Sequence, residues 1–455
     1  MAHGEVIQGR WSNRMTFILA ASGSAVGLGN IWRFPYTAGE YGGGAFVLVY
    51  LLCIAAIGLP IMAAEIMLGK RGRGSPVSAL TALARAHNAA GAWRSIGWLG
   101  MLTGALILSF YSVIGGWTLD YAVSAAAGRL AGLDAARAHD LFSAMIGDPY
   151  RLFVSHTLFM GLAMLVVARG VSGGLERAIR WLMPTLFVLL IGLVVFAAQT
   201  GDFVRGLRYL FEPDFAAFGN RAGEAVLSAM GQAFFSLSLG MGAIMVYGAY
   251  MQEGTVVGRS TVLIAGIDTL VALLAGMVVF PIVFANGLEP AVGPGLIFET
   301  LPIAFAELPA GRLFATLFFI LLMIAAWTSA ISVLEPAVAW LAEATHATRR
   351  RATLLAGGTI WLLGIACLLS LNNWSHITLF GKGILDLLDF VTSNVMLPLG
   401  GMLIAVFAGW VVSRSATLET FGISDRFTFT AWRLLVRYVA PVGVACVFAH
   451  AVGLL

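Results

Sequence analysis

The chain has 455 residues, is 59% hydrophobic and only 11% charged, and its mean hydropathy is +0.89. Soluble domains carry about 25% charged residues, so this composition excludes a soluble enzyme or binding module and indicates a polytopic membrane protein. The net charge of +4 calls for no nucleic-acid partner, because arginine placement in such chains follows topology.

Hydropathy and turn signals place spans near 14–38, 43–69, 97–126, 151–168, 177–199, 223–251, 257–286, 310–342, 352–370, 384–412 and 432–454. The polar start runs straight into the first span, with no cleavable leader apparent. With the N-terminus in the cytoplasm, Lys and Arg favour the inside loops by roughly two to one. Eleven spans then leave the C-terminus outside. Residues 1–455 read as one membrane-spanning domain: a first repeat of about 14–200, a second of about 223–412 and an extra helix of about 432–454. Five is an odd number, so the second repeat runs opposite to the first. The stretch Gly287–Pro309, with four prolines, reads as a long loop that packs as an outer lid. Cys53, Cys367 and Cys446 lie in apolar stretches and read as buried, unpaired thiols.

The first and sixth spans are interrupted. Gly23-Ser24-Ala25-Val26-Gly27-Leu28-Gly29-Asn30 breaks one, and Phe235-Ser236-Leu237-Ser238-Leu239-Gly240-Met241-Gly242 breaks the other. An unpaired backbone group in lipid costs several kcal/mol, so such breaks persist only where something else satisfies them. Matching breaks in two halves point to a transporter's binding site. Freed carbonyls hold a cation, and a half-helix N-terminus holds an anion.

Arg33, Glu65, Asp268, Glu335 and Asp389 lie within spans, where ionisable groups are expensive. Glu65 and Glu335 read as structural pairing partners. Arg33 and Asp389 sit at similar depth and suit a breakable ion pair over a central site. Asp268 lies deeper and needs a nearby cation to keep its charge. Ala325, Thr328 and Ser329 share one helix face, which suits a hard oxygen shell, although such hydroxyls also bond back to the preceding turn. Ile107 and Tyr111 share another face. The histidines show no metal-site spacing, and no phosphate-cradling loop is present.

Residues 24–35, the glycine stretch Gly42-Gly43-Gly44-Ala45-Phe46, 231–240, 325–336 and 385–390 together resemble the neurotransmitter:sodium symporter family along nearly the whole chain. The length is more similar to its eleven-helix bacterial amino acid carriers than to its twelve-helix members. The resemblance implies an all-α 5+5 inverted-repeat fold with discontinuous helices 1 and 6, plus an eleventh helix. It further implies two sodium sites: Ala25, Asn30, Ser236 and Asp268 with the substrate carboxylate, and Gly23, Val26, Ala325, Thr328 and Ser329. Substrate would meet Ala25, Leu28, Gly29, Tyr111, Phe235, Ser236 and Ser238. Its side chain would lie among Ile107, Phe235, Ser238, Met241, Ser329 and Val333.

Gly27 stands where the family's monoamine carriers hold an aspartate, so the ligand should bring its own carboxylate. Met241 replaces a phenylalanine and admits a larger or more varied guest. A neutral, hydrophobic L-amino acid fits best. Asp268 replaces an asparagine close to the chloride position of relatives, among Tyr50, Gln232 and Ser236, and this implies transport without chloride. After ion release, Asp268 is a candidate for proton uptake. Arg33 and Asp389 match the outer gate. Trp11 and Glu343 match the inner latch, with Tyr250 in support. The expected latch arginine is Gln8 here, with Arg10 beside Trp11. Gly174 and Pro184 match a motif that lets span five unwind.

The resulting expectation is a sodium-coupled symporter in a bacterial inner membrane, bathed by lipid, with N-terminus inside and no enzymatic activity. A proton-coupled carrier of the same fold and a non-transporting amino acid receptor remain open at this point.

Overall fold

A computed structural model describes residues 9–290, 293, 295–422 and 426–451; Gln8, Pro294 and the last residues of the expected eleventh span lie outside them. The chain is almost entirely helical. The first span, α1, consists of Arg14–Ala25 and Gly29–Glu40, which meet at 51°. Asn13 starts it, its side chain accepting from Thr16 N at 2.9 Å. The spans α2 (Gly44–Gly72), α3 (Gly91–Ala126), α4 (Pro149–Ala168), α5 (Val171–Thr200), α7 (Val257–Ala285), α8 (Gly311–Thr345) and α9 (Arg349–Leu369) are continuous. The sixth, α6, is split into Ala222–Ser236 and Ala243–Ala249. After it come α10 (Ile384–Val411) and α11, in which Arg426–Leu434, Leu435–Val439 and Ala440–Ala451 run on from one another.

The architecture is the 5+5 inverted repeat with discontinuous α1 and α6, plus α11. Each repeat begins with a broken helix, and the third helices of the two repeats, α3 and α8, pack on one another. The break in α1 falls at 26–28, where Val26 turns to extended backbone. That in α6 falls at 237–242, where Ser238, Gly240 and Gly242 all have positive φ. Gly240 and Gly242 take this conformation without strain. Ser238 does not, and its hydroxyl is held by a hydrogen bond to Ser24 O at 2.8 Å. Small residues let the broken helices sit tightly: a Cβ on Gly248 would lie 2.6 Å from Ile66 O of α2.

Two expectations are corrected. The Gly287–Pro309 stretch is not simply a loop, because Leu296–Thr300 and Leu301–Glu307 are helical. Pro302 lies just after the π-type turn Leu296–Thr300, which runs without a break into Leu301–Glu307. Phe298 anchors this segment among Trp117, Tyr121, Phe142 and Phe319, and Tyr121 OH donates to its carbonyl at 2.9 Å. Cys446 is exposed rather than buried. It lies on an apolar helix on the outside of the bundle, and lipid solvates such a face as well as a core does. Cys53 and Cys367 are buried and free.

Trp11, Tyr250, Glu343 and Arg349 gather at one end of the bundle. Arg33 and Asp389 lie toward the other.

Candidate functional site

The two breaks face each other across one narrow cavity lined by Ser24, Ala25, Gly27, Gly29, Ile107, Tyr111, Phe235, Ser238, Met241, Ser329 and Val333. No lining side chain is charged at neutral pH. Ile107, Phe235, Met241 and Val333 supply an apolar wall; Tyr111, Ser238 and Ser329 supply hydroxyls. Leu28 and Ser236, also expected to meet substrate, stand just behind this surface. Leu28 N donates to Tyr111 OH at 3.3 Å, and Ser236 belongs to the cluster described next.

Asn30, Ser236 and Asp268, three of the residues expected at the first sodium site, form one buried network. Asn30 Nδ2 donates to Asp268 Oδ1 at 2.7 Å and to Asp268 O at 3.0 Å. Its Oδ1 accepts from Gly27 N at 3.1 Å, quenching an amide freed by the break. Ser236 Oγ donates to Asp268 Oδ2 and lies 3.1 Å from Tyr50 OH. Gln232 Nε2 donates to Gly29 O at 2.6 Å. The donor set is entirely oxygen, as a hard cation requires, and it carries one formal negative charge.

The residues expected at the second sodium site meet where α8 crosses the α1 break. Ser329 Oγ donates to Val26 O at 3.1 Å and to Ser24 O at 3.2 Å. Thr328 Oγ1 donates to Ala325 O at 3.0 Å. A Cβ on Gly23 would lie 3.6 Å from Thr328 Cβ, so Gly23 also borders this crossing. Hydroxyl and carbonyl oxygens from two helices therefore converge at this crossing.

Toward the Arg33 end, the Arg33 guanidinium lies 5.1 Å from the Phe235 ring centroid. Among the described residues no direct ion pair joins Arg33 to Asp389. Ser393 Oγ stands between them, accepting from Arg33 Nη1 at 3.2 Å and donating to Asp389 Oδ1 at 2.9 Å.

The Trp11 end is arranged differently from the expected latch. Trp11 is buried, with Nε1 donating to Tyr247 O at 3.0 Å and its ring edge-on to Tyr247 and Tyr250. Glu343 does not meet Arg10. It caps the helix Pro76–Ala86, accepting from Ser75 N at 2.8 Å and Ser78 Oγ at 2.6 Å. Arg10 instead lies 3.9 Å from exposed Glu253. Tyr250 OH donates to Glu335 at 2.5 Å, and Glu335 also pairs with Arg349. Arg349 in turn donates to Val167 O at 2.8 Å. Gly174 sits in the π-type turn Val171–Leu175, and Pro184 lies inside the following helix, so α5 is wound throughout in this conformation. Met183 Sδ comes within 3.0 Å of a Cβ built on Gly23, which puts α5 against this crossing of α1 and α8.

Several participants were not singled out from sequence. Ser24 contributes a carbonyl that accepts from both Ser238 and Ser329, and its place inside the Gly23–Asn30 break was the available signal. Ser393 lies one helical turn after Asp389, on the same face. Arg349 carried no local signal, because its value arises only from burial beside Glu335. Glu65 is buried and accepts from Gly240 N at 2.6 Å, pairing with backbone of the α6 break rather than with a cation.

Two broken helices enclosing a mid-bundle cavity, with oxygen clusters beside the breaks, define a secondary transporter embedded in the membrane. The sodium:neurotransmitter symporter family model matches residues 8–140 and 137–453, and the chain belongs to that family. The chain is 38% identical over 449 residues to YhdH of Bacillus subtilis (strain 168), an uncharacterized sodium-dependent transporter, covering 98% of each chain. It is 33% identical over 445 residues to an uncharacterized sodium-dependent transporter of Haemophilus influenzae, covering 96% of this chain and 97% of that protein. Among solved structures, MhsT in complex with L-phenylalanine superposes with a TM-score of 0.91 and 42% identity, covering 98% of this chain and 100% of MhsT. The family is one of sodium-coupled transporters, not enzymes.

Proposed function

We propose that this protein carries neutral, hydrophobic L-amino acids into the cell together with sodium, without chloride, by alternating access. The observation that carries this reading is the cavity's chemistry: an apolar wall, no charged lining side chain, and freed backbone groups at both ends. A zwitterion suits such a site. Its carboxylate meets the positive end of the second α1 segment at the Leu28 and Gly29 amides, beside Tyr111 OH. Its ammonium meets the carbonyl ends of the first segments, at Ala25, Phe235 and Ser236. The complex of MhsT with L-phenylalanine supports an apolar amino acid as the guest.

One sodium ion would be held by Ala25 O, Asn30, Ser236, Asp268 and the substrate carboxylate. A second would be held by the carbonyls of Gly23, Val26 and Ala325 with Thr328 and Ser329. Two cations and a zwitterion bring two positive charges, and the Asp268 carboxylate offsets one of them. It does so from a position beside Ser236 and Tyr50, which is where a chloride would otherwise be needed. Arg33, Ser393 and Asp389 would close over the guest from the periplasmic side. Packing around Trp11 and Tyr250, with Glu343 clamping Pro76–Ala86, would close the cytoplasmic side. Release inward would need α5 to unwind between Gly174 and Pro184, wetting the second ion.

Uptake of radiolabelled neutral amino acids into proteoliposomes tests this. Accumulation is expected only with an inward sodium gradient, and to the same level when gluconate replaces chloride. Accumulation indifferent to sodium would overturn the proposal in favour of proton coupling. Saturable binding without accumulation would instead indicate a receptor.

A further inference from the structure

Three arginines cluster where α10 ends and α11 begins, at the Trp11 end and away from the transport site. Arg433 Nη1 is buried with no hydrogen-bond partner. Arg414 and Arg437 are the charged groups acting on it. Among the described residues no ion pair joins any of the three to a carboxylate. Arg437 Nε donates to Gly409 O at 2.6 Å, and its guanidinium lies 4.8 Å from the Trp410 ring centroid. Arg414 lies 5.9 Å from the Phe429 ring centroid. Trp410 and Tyr438 are both exposed and meet edge-on at 5.6 Å.

Like charges brought together repel, and a buried guanidinium N–H without an acceptor costs free energy. Both terms are relieved by one ligand, an anion with several acceptor oxygens. Exposed Trp and Tyr at the end of a span mark the depth of lipid headgroups, and basic pockets between membrane helices bind anionic headgroups.

We propose that Arg414, Arg433 and Arg437 form a binding site for the phosphate of an anionic phospholipid, with Trp410 and Tyr438 flanking its glycerol region. The bound lipid ties the α10–α11 corner together. Arg437 serves partly to hold α10 through Gly409, so Arg433 and Arg414 carry the separable part of the recognition.

The test is native mass spectrometry of the detergent-solubilised full chain, titrated with phosphatidylglycerol or phosphatidylcholine. Wild type is expected to retain one phosphatidylglycerol in clear preference to phosphatidylcholine. R433Q and R414Q should each lower that retention about fivefold, while both variants keep sodium-dependent amino acid binding, which shows that they are folded. Equal retention of the two lipids, or an unchanged preference in both variants, would overturn the proposal. A parallel arm adds inorganic phosphate alone and follows thermal stability. Stabilisation by phosphate that R433Q abolishes, with no lipid preference in wild type, would reassign the site to a free anion and overturn the lipid reading.

Discussion

Arg33 reaches Asp389 through a single hydroxyl. Ser393 Oγ takes a hydrogen bond from the guanidinium and passes one to the carboxylate, while the same guanidinium rests over Phe235, a wall of the central cavity. Cation, hydroxyl, carboxylate and ring are thus linked in one chain of contacts beside the cavity. A relay of this kind opens at lower cost than a direct buried ion pair, because each charge keeps a neutral partner.

Ser393→Ala removes the relay without changing charge. We expect amino acid affinity to fall about fivefold, the worth of roughly one hydrogen bond, with sodium affinity almost unchanged. Scintillation-proximity binding at saturating sodium measures this, and wild-type amino acid affinity in the variant would show that Ser393 is a bystander.

Asp268 is the sole carboxylate in the network with Asn30 and Ser236. Asp268→Asn leaves the amino acid cavity intact but removes the offsetting charge. Uptake in chloride-free medium should drop by at least tenfold, and added chloride should restore part of it. Uptake that is unaltered without chloride would remove the charge-balance reading.

Gly27 has no room for a side chain. A Cβ there would lie 2.5 Å from Ser329 Oγ and 2.9 Å from Tyr111 OH. Gly27→Ala must therefore push Ser329 off the α1 carbonyls and Tyr111 off Leu28 N. Sodium affinity and amino acid affinity should weaken together in equilibrium binding, in contrast to Ser393→Ala. An effect on only one of them would separate the two sites.

Thr328→Ala combined with Ser329→Ala deletes both hydroxyls at the proposed second sodium site. The sodium concentration giving half-maximal amino acid binding should rise at least tenfold, and the sodium dependence should lose cooperativity. Retention of the wild-type curve would exclude these residues as ion ligands.

Glu335 is fully buried and depends on Arg349 and Tyr250 for its partners. Arg349→Gln strands that carboxylate, at a cost of about 3–5 kcal/mol. Thermal unfolding in detergent should show a marked loss of stability, and Glu335→Gln in the same chain should recover much of it. A single variant as stable as wild type would mean that the pair contributes nothing at this end.

Much of the architecture was legible because it is written locally. Apolar runs of span length, interrupted twice by glycine and serine, dictate membrane helices and their two breaks before any long-range contact forms, since lipid tolerates bare backbone nowhere else. The same local chemistry marked Asn30, Asp268, Thr328 and Ser329. Partner choice was not local. Glu343 turned to Ser75 and Ser78 rather than to an arginine near Trp11, and Glu335 found Arg349, because helix packing decides which side chains share a dry space.

What the amino-acid order determined alone was therefore the medium, the helices and the places where they rupture: hydrophobicity and helix propensity act over a few residues. What only the tertiary structure decided was which freed carbonyl each hydroxyl quenches. Ser238 and Ser329 both reach Ser24 O from 214 and 305 residues away. Such distant choices follow from how α3, α6 and α8 pack against α1, where burial makes an unmet polar group too costly to leave.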